Sequence, residues 1–417
     1  MDNKKIIGIV IFVILIVIIS VIYITGRQTI TQPTNGGSVE TDIRGTTKIY
    51  VATGGGKENF LADERVVEIL QKKYKLNVVF DSWSNGKTVL WPLVREAVGK
   101  GDGLEIYNKD TSTINTPGLS KYDALFASDQ RFYDYYQVAA DKSKGEADRY
   151  RTLGGNQTLN TPIVVYSWKE VAEALESEGI VTIRDGVHYI TDMPKLMNYI
   201  QEGKKWKDIG LDLLYGSINI SSTDPVTSSP GATYYGLLLS ILCDGEVNNE
   251  KMIQNLPILA TFYEKSGYMN NTPADLFERY LRMGMGSYPM IVDYEKSLID
   301  FANSHPEEFA ELSSEVVILY PAPTIWNSHC YQYFTDNGKL LYDALSQDEE
   351  IQSIAWEKYG FRTGISGGNY DVSKLGLGIP KSITSTVKSL KMDEYNLLID
   401  YLKAKTPEEA EKVLKGE

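Results

Sequence analysis

Residues 6–24 read IIGIVIFVILIVIISVIYI, an apolar run with no charged side chain. At about 1.5 Å of helical rise per residue, such a run spans a hydrocarbon core of about 30 Å. The run predicts a transmembrane helix over 6–25, and this decides how the rest of the chain can fold. Lys4 and Lys5 precede it, so the positive-inside rule keeps residues 1–5 in the cytoplasm and sends everything after Arg27 outside the cell. A cleaved secretory signal also opens with charge and an apolar run. Here the run exceeds the h-region of about 7–15 residues, no Ala-x-Ala follows and no nearby cysteine could take a lipid, which favours an uncleaved anchor.

Residues 28–47, QTITQPTNGGSVETDIRGTT, are polar and lack apolar periodicity, so 26–46 is expected to be a flexible tether. The remaining stretch, 47–417, is on the scale of two domains of about 100–200 residues. The formal net charge of −13 argues against a nucleic-acid partner. Cys243 and Cys330 are the only cysteines, too few for a disulfide scaffold or a thiolate metal cluster. The three histidines, His188, His305 and His329, have no metal-ligand spacing. Neither an H-E-x-x-H motif nor a cysteine with an evident histidine partner is found. No cofactor, no metal and no enzymatic activity are therefore expected. The 28 tyrosines are spread along the chain and mark no stacking platform.

Beyond the tether, short β-branched runs alternate with helical patterns, the signature of an α/β protein with largely parallel sheets. Strands are expected at 48–53, 76–82, 122–128, 161–168, 215–221, 288–295, 316–321 and 330–334. Helices are expected near 60–75, 88–98, 169–179, 231 onward, 250–265 and 274–283, with two or more closing the chain.

Several stretches together carry a resemblance: VATGGGKENF at 51–60, TPIVVYSW at 161–168, SSTDPVTSSPGATYYGLLLSIL at 221–242, YPMIVDYEKSLIDFA at 288–302, VVILYPAPTIWNSH at 316–329 and IAWEKYGFR at 354–362. With these features the chain resembles the extracellular solute-binding proteins of the periplasmic-binding-protein type 2 superfamily, over nearly all of its length beyond Lys48. The resemblance implies two α/β lobes joined by crossing strands, with a ligand in the cleft between them. The first lobe would be 47–165 plus 323–417 and the second 166–322, hinged near Ser167, Trp168 and residues 321–324. It also implies transport with an ABC-type permease, and a solute resembling the small oxyanions. A cell-envelope interaction or sensory module that keeps the same fold is the alternative.

Within TDPVTSSPGA, residues 223–232, hydroxyls lead into a helix start. The unpaired N–H groups and positive dipole end there suit an anion. Thr223, Thr227, Ser228 and Ser229 are candidates; Ser229 could equally be an N-cap before Pro230 at N1. Thr53 ends the first strand, and after it Gly55, Gly56 and Lys57 of the GGGK turn could bring backbone amides to a ligand or simply make a tight loop. The spacing is not that of a phosphate-binding P-loop. Ser82, Ser84 and Lys87 follow the second strand at its carboxyl end, where open α/β sheets place ligands. Ser128 with Asp129, and Ser167 with Trp168, end two further strands, although tryptophan more often packs in a core. Asp293, Tyr294 and Glu295 close another. Carboxylates there would repel an oxyanion and attract a cation or amine.

Overall fold

The structure is a computed structural model that describes residues 45–83, 122–134, 152–363 apart from 268 and 271, and 375–416. The apolar run at 6–24, most of the tether, the helix expected at 88–98, Ser84 and Lys87 lie outside the described residues. Among the described residues no helix is long and apolar enough to cross a membrane. Residues 46–417 form one compact unit.

The chain opens with β1 (Thr47–Gly54), α1 (Glu58–Leu61), α2 (Glu64–Lys72), β2 (Leu76–Trp83) and β3 (Ala124–Phe126). Two helices replace the single one expected at 60–75. Asp63 breaks the run and starts the second helix, because its carboxylate accepts from the Arg65 and Val66 amides. β4 (Gly154–Trp168) is followed by α3 (Lys169–Ser177), the β5–β6 hairpin (Val181–Arg184, Val187–Ile190) and α4 (Met193–Glu202). Next come α5 (Ser229–Leu242), α6 (Asn249–Lys265), α7 (Pro273–Met283), β7 (Met290–Tyr294), α8 (Glu295–Ser304) and α9 (Pro306–Leu312). β8 (Val316–Pro321) and β9 (Thr324–Tyr333) precede α10 (Asp336–Gln347) and α11 (Glu349–Glu357). Two-residue strands β10 (Arg362–Thr363) and β11 (Thr386–Val387) and helices α12 (Met392–Lys403) and α13 (Pro407–Lys415) end the chain.

β4 organises the molecule. Residues Gly154 to Pro162 pair antiparallel with β9, while Ile163 to Trp168 pair antiparallel with β7 and β8. One strand therefore belongs to two sheets, β2-β1-β3-β9-β4 and β4-β8-β6-β5 with β7 alongside β4. The sequence from Thr161 to Trp168 is buried throughout, as a strand covered on both faces requires. Among the described residues, the expected parallel pairing between named strands joins β1 to β2 and β3, β6 to β8 and the short β11 to β9. The strands that cross between lobes all run antiparallel to β4.

The crossover lies between Pro162 and Ile163, earlier than the 165/166 boundary expected, and the return path is β8 to β9 through Ala322 and Pro323. Each sheet has its own hydrophobic core. The first gathers Ile49, Val51, Phe126, Tyr331 and Leu345; the second gathers Val165, Leu238, Leu259 and Ile291. Leu390, Tyr395, Leu398 and Ile399 join the second core, and the Tyr395 hydroxyl donates to the Pro225 carbonyl at 2.8 Å. The final helices thus pack on the second lobe, against the expectation that 323–417 completes the first. The strand expected at 215–221 is replaced by single bridges from Ser217 to Lys205 and Ser221 to Ile291. Its alternation reflects Ile218 and Ile220 turning into the core, with a single bridge to β7 in place of a ladder.

Candidate functional site

Between the lobes lies a cleft of about 780 Å³. The first lobe contributes Gly55, Gly56 and Asn59 from the β1–α1 turn, Ser128 from the end of β3, and Asn327 and His329 from β9. The second lobe contributes the starts of three helices: Thr227 to Pro230 at α5, Thr272 to Ala274 at α7, and Asp293, Tyr294, Lys296 and Ser297 at α8.

The turn is held from below. Gly56 has φ +86°, a conformation a side chain rarely takes. Lys57 turns inward, so its Nζ donates to the Gly54 carbonyl at 2.9 Å, lies 3.3 Å from His329 Nδ1 and sits 4.6 Å from the centre of the Phe126 ring. Burial pulls the Lys57 ammonium down to about 7. Burial, with Lys57 and Lys296 nearby, holds His329 well below its ordinary value, so the ring is neutral.

At α5 the N-cap is Ser228, with Ser229 and Pro230 as the first helical residues, one position earlier than expected. Thr223 does not reach the cleft. It is fully buried, and its Oγ1 caps α5 by accepting from the Gly231 amide at 3.0 Å. A Cβ at Gly231 would stand 2.1 Å from the Thr223 carbonyl oxygen, so only glycine lets the cap approach. Thr227, Ser228 and Ser229 do line the cleft, as do Gly55, Gly56, Ser128 and Tyr294.

Two further candidates do not line the cleft. Thr53 is buried under the turn, with its hydroxyl 3.2 Å from the Gly54 carbonyl. The Ser167 hydroxyl donates to the Pro289 carbonyl inside the second lobe, beside the Trp168 indole, which donates to the Tyr288 carbonyl. Both residues end a strand that has already crossed into its lobe. Lys57 lies beneath the Gly56 turn, outside the lining of the main cleft and in the wall of a smaller pocket beside it. Asp129 is buried in an ion pair with Arg131, and Glu295 opens α8 facing away from the cleft, gripped by Arg362 at 2.6 Å.

The sequence reading missed the face of α8. Lys296, Ser297, Asp300, Phe301 and Ser304 all line the cleft, at the i, i+1, i+4, i+5, i+8 spacing of one helix face. Phe277 of α7 joins them. This polar stripe on a helix with a buried opposite face was the available signal. Asp293 is buried; its carboxylate accepts from the Tyr294 amide at 2.7 Å, and burial pushes it up to about 6. Asp300 is likewise raised by burial. Among the described residues no group of acidic, histidine or cysteine side chains is arranged to hold a metal ion. The walls thus offer hydroxyls, glycine amides and an ammonium alongside two carboxylates and the rings of Phe277, Tyr294 and Phe301.

No family model matches the chain, and no curated protein matches its sequence. Solved structures do match its fold. One, from work on xylan utilization by Caldanaerobius polysaccharolyticus, is 10% identical, covers 89% of this chain and 100% of its own, and has a TM-score of 0.54. The ABC substrate-binding protein Lmo0181 from Listeria monocytogenes, in complex with cycloalternan, is 12% identical over 89% of this chain and 94% of its own, with a TM-score of 0.50. An ABC transporter solute-binding protein from Thermotoga lettingae, bound with α-D-tagatose, is 11% identical over 89% and 99%, also at 0.50. Crossing strands, two cores and an interlobe cleft give this chain a two-lobed fold similar to that of these solved ABC substrate-binding and solute-binding proteins.

Proposed function

We propose that the protein is a membrane-anchored extracellular solute-binding protein that captures a small anionic solute between its lobes and delivers it to an ABC-type permease. The observation that carries this reading is the cleft itself, where the Gly55–Gly56 turn of one lobe faces the first turn of α5 in the other. Its volume falls among pockets of about 300–1,000 Å³ that hold organic ligands, so the solute is an organic molecule bearing a carboxylate, phosphate or sulfate group. Hydroxyls at Thr227, Ser228 and Ser229, with the positive end of α5, favour such a group. The anchor rests on the apolar run at 6–24 and its flanking lysines.

A neutral sugar is the second reading. Asp293 and Asp300 share a wall with Phe277 and Phe301, a combination of hydroxyl acceptors and apolar ring faces. Two of the fold's solved neighbours carry sugars.

Titration calorimetry of the full-length protein against sulfate, phosphate, molybdate, small carboxylates, sugar phosphates and neutral sugars tests both. At least one anion should bind. Replacing Thr227, Ser228 and Ser229 together by Ala should weaken the best organic anion at least about tenfold, which takes only about 1.4 kcal/mol. Binding of neutral sugars alone moves the reading to Asp293 and Asp300, and binding of none of these solutes overturns it.

A further inference from the structure

A smaller side pocket of about 110 Å³ opens off the cleft beneath Gly56, and its walls include Lys57, Lys296, Asp300 and Phe361. Two ammonium groups meet there. Lys57 is about 1% exposed, and among the described residues neither it nor Lys296 has a carboxylate within salt-bridge distance. A buried ammonium without a partner is costly, and such groups collect at functional sites.

His329 completes the set. Its Nδ1 accepts from the Lys57 ammonium, so in the neutral ring the proton is on Nε2. The ring lines the cleft, is 2% exposed, and its Nε2 has no hydrogen-bond partner among the described residues. The geometry closes around one point. From the position a Cβ would take on Gly56, His329 Cε1 and Lys296 Cε are each 3.9 Å away. Phe361 backs both, its ring centre 5.1 Å from that of His329 and 5.0 Å from Lys296 Nζ.

We infer that this side pocket is the seat of the solute's acidic group, held by Lys57 and His329 of the first lobe and Lys296 of the second. The inference rests on reading the chain as a solute-binding protein. It moves the anion away from α5, whose Gly231 amide is already capped by Thr223, and leaves the α5 hydroxyls to the rest of the solute. Because the three donors come from both lobes, the acidic group bridges them. An anion supplies the counter-charge that Lys57 lacks and the acceptor that His329 Nε2–H lacks.

Charge in the pocket depends on pH. Lys57 loses its proton near 7. The other titratable groups facing it are Glu58 on its own turn, Lys296 and Asp300 on α8, and the Cys330 thiol, which burial pushes up out of range. Asp300 opposes the anion directly.

Sulfate is the probe, since it keeps both charges between about pH 6 and about pH 9, while Lys57 does not. Calorimetry on the full-length protein in detergent should show saturable sulfate binding at the lower pH that weakens at least tenfold at the higher. Lys296→Gln should weaken it at least tenfold. Asp300→Asn should tighten it, an effect that loss of structure does not produce. Sulfate binding indifferent to pH and to Lys296→Gln overturns the placement. If sulfate fails to bind while another solute occupies the cleft, the side pocket is wrong and the solute-binding reading stands; if none of the solutes above binds, both fall.

Discussion

Lys57 shows how one residue's surroundings decide its role. Its position after three glycines is plain in the sequence, and so is the turn it ends. That the side chain folds back under the turn is not, because its contacts at Phe126 and His329 come from strands 69 and 272 positions away. The physical consequence is a base whose folded-state value is depressed from 10.5 to about 7. Between these values the unfolded chain binds the proton that the folded chain has released, so stability rises as pH climbs from 7 to 10.5 and is lost as pH falls toward 7. Asp293, raised to about 6, acts in the opposite sense: its contribution is present below the ordinary carboxylate value and fades as pH rises through 6. Lys57→Met removes the first dependence. In urea unfolding, the variant should gain on the parent protein at pH 6 relative to pH 10 by at least about 1.4 kcal/mol, the free energy of a tenfold change in proton affinity. Equal effects at both values would show that the ammonium is solvated in the folded protein.

Among the elements, α8 joins cleft to hinge. One face carries Lys296, Asp300 and Ser304 into the cleft, while its first residue, Glu295, lies fully buried against β10. Arg362 grips Glu295 with Nε and Nη2 at 2.6 and 2.7 Å, the Tyr320 hydroxyl adds a bond at 2.7 Å, and the guanidinium stacks over Trp356 at 4.9 Å. β10 pairs with the first half of β4, so the ion pair ties the two lobes behind the cleft. Removing one partner leaves a buried charge uncompensated, a loss of about 3–5 kcal/mol in comparable pairs. Arg362→Met should therefore lower stability by about that amount in urea, whereas Glu295→Gln with Arg362→Met should recover part of it. An unchanged midpoint in the single variant would mean that the pair is solvated. Most elements could be read from the sequence, since apolar alternation is local; the break at Asp63 could not, because a cap shows only in the bonds its carboxylate accepts from the Arg65 and Val66 amides. The 215–221 segment could not, because Ile218 and Ile220 alternate to fill a core rather than to pair in a sheet.

At the scale of the whole molecule, the two lobes followed from length and from alternating strands and helices, yet their boundaries did not. An amphipathic helix reveals the face it buries, not the surface that receives it; α12 carries Tyr395, Leu398 and Ile399 to the second lobe although the chain has just left the first. The anchoring of the C-terminal helices on one lobe leaves the lobes connected through β4, the β8–β9 return and the Glu295–Arg362 pair. Additional contacts across the molecule, such as Arg131 over the Tyr395 ring at 4.0 Å, lie beside the cleft and limit how far the lobes can part. On the proposed function, a solute that satisfies donors on both walls of this cleft would draw the lobes together. Small-angle scattering of residues 46–417, which hold both cores, should then show a smaller radius of gyration with the calorimetrically identified solute than without it. The compaction should disappear in Lys296→Gln if the solute's acidic group is what draws the lobes together, and should persist in that variant if hydroxyl contacts at α5 suffice. No change in the parent protein at saturating solute would mean that the cleft binds without closing, and that the lobes are already held at their final separation by the contacts around Tyr395.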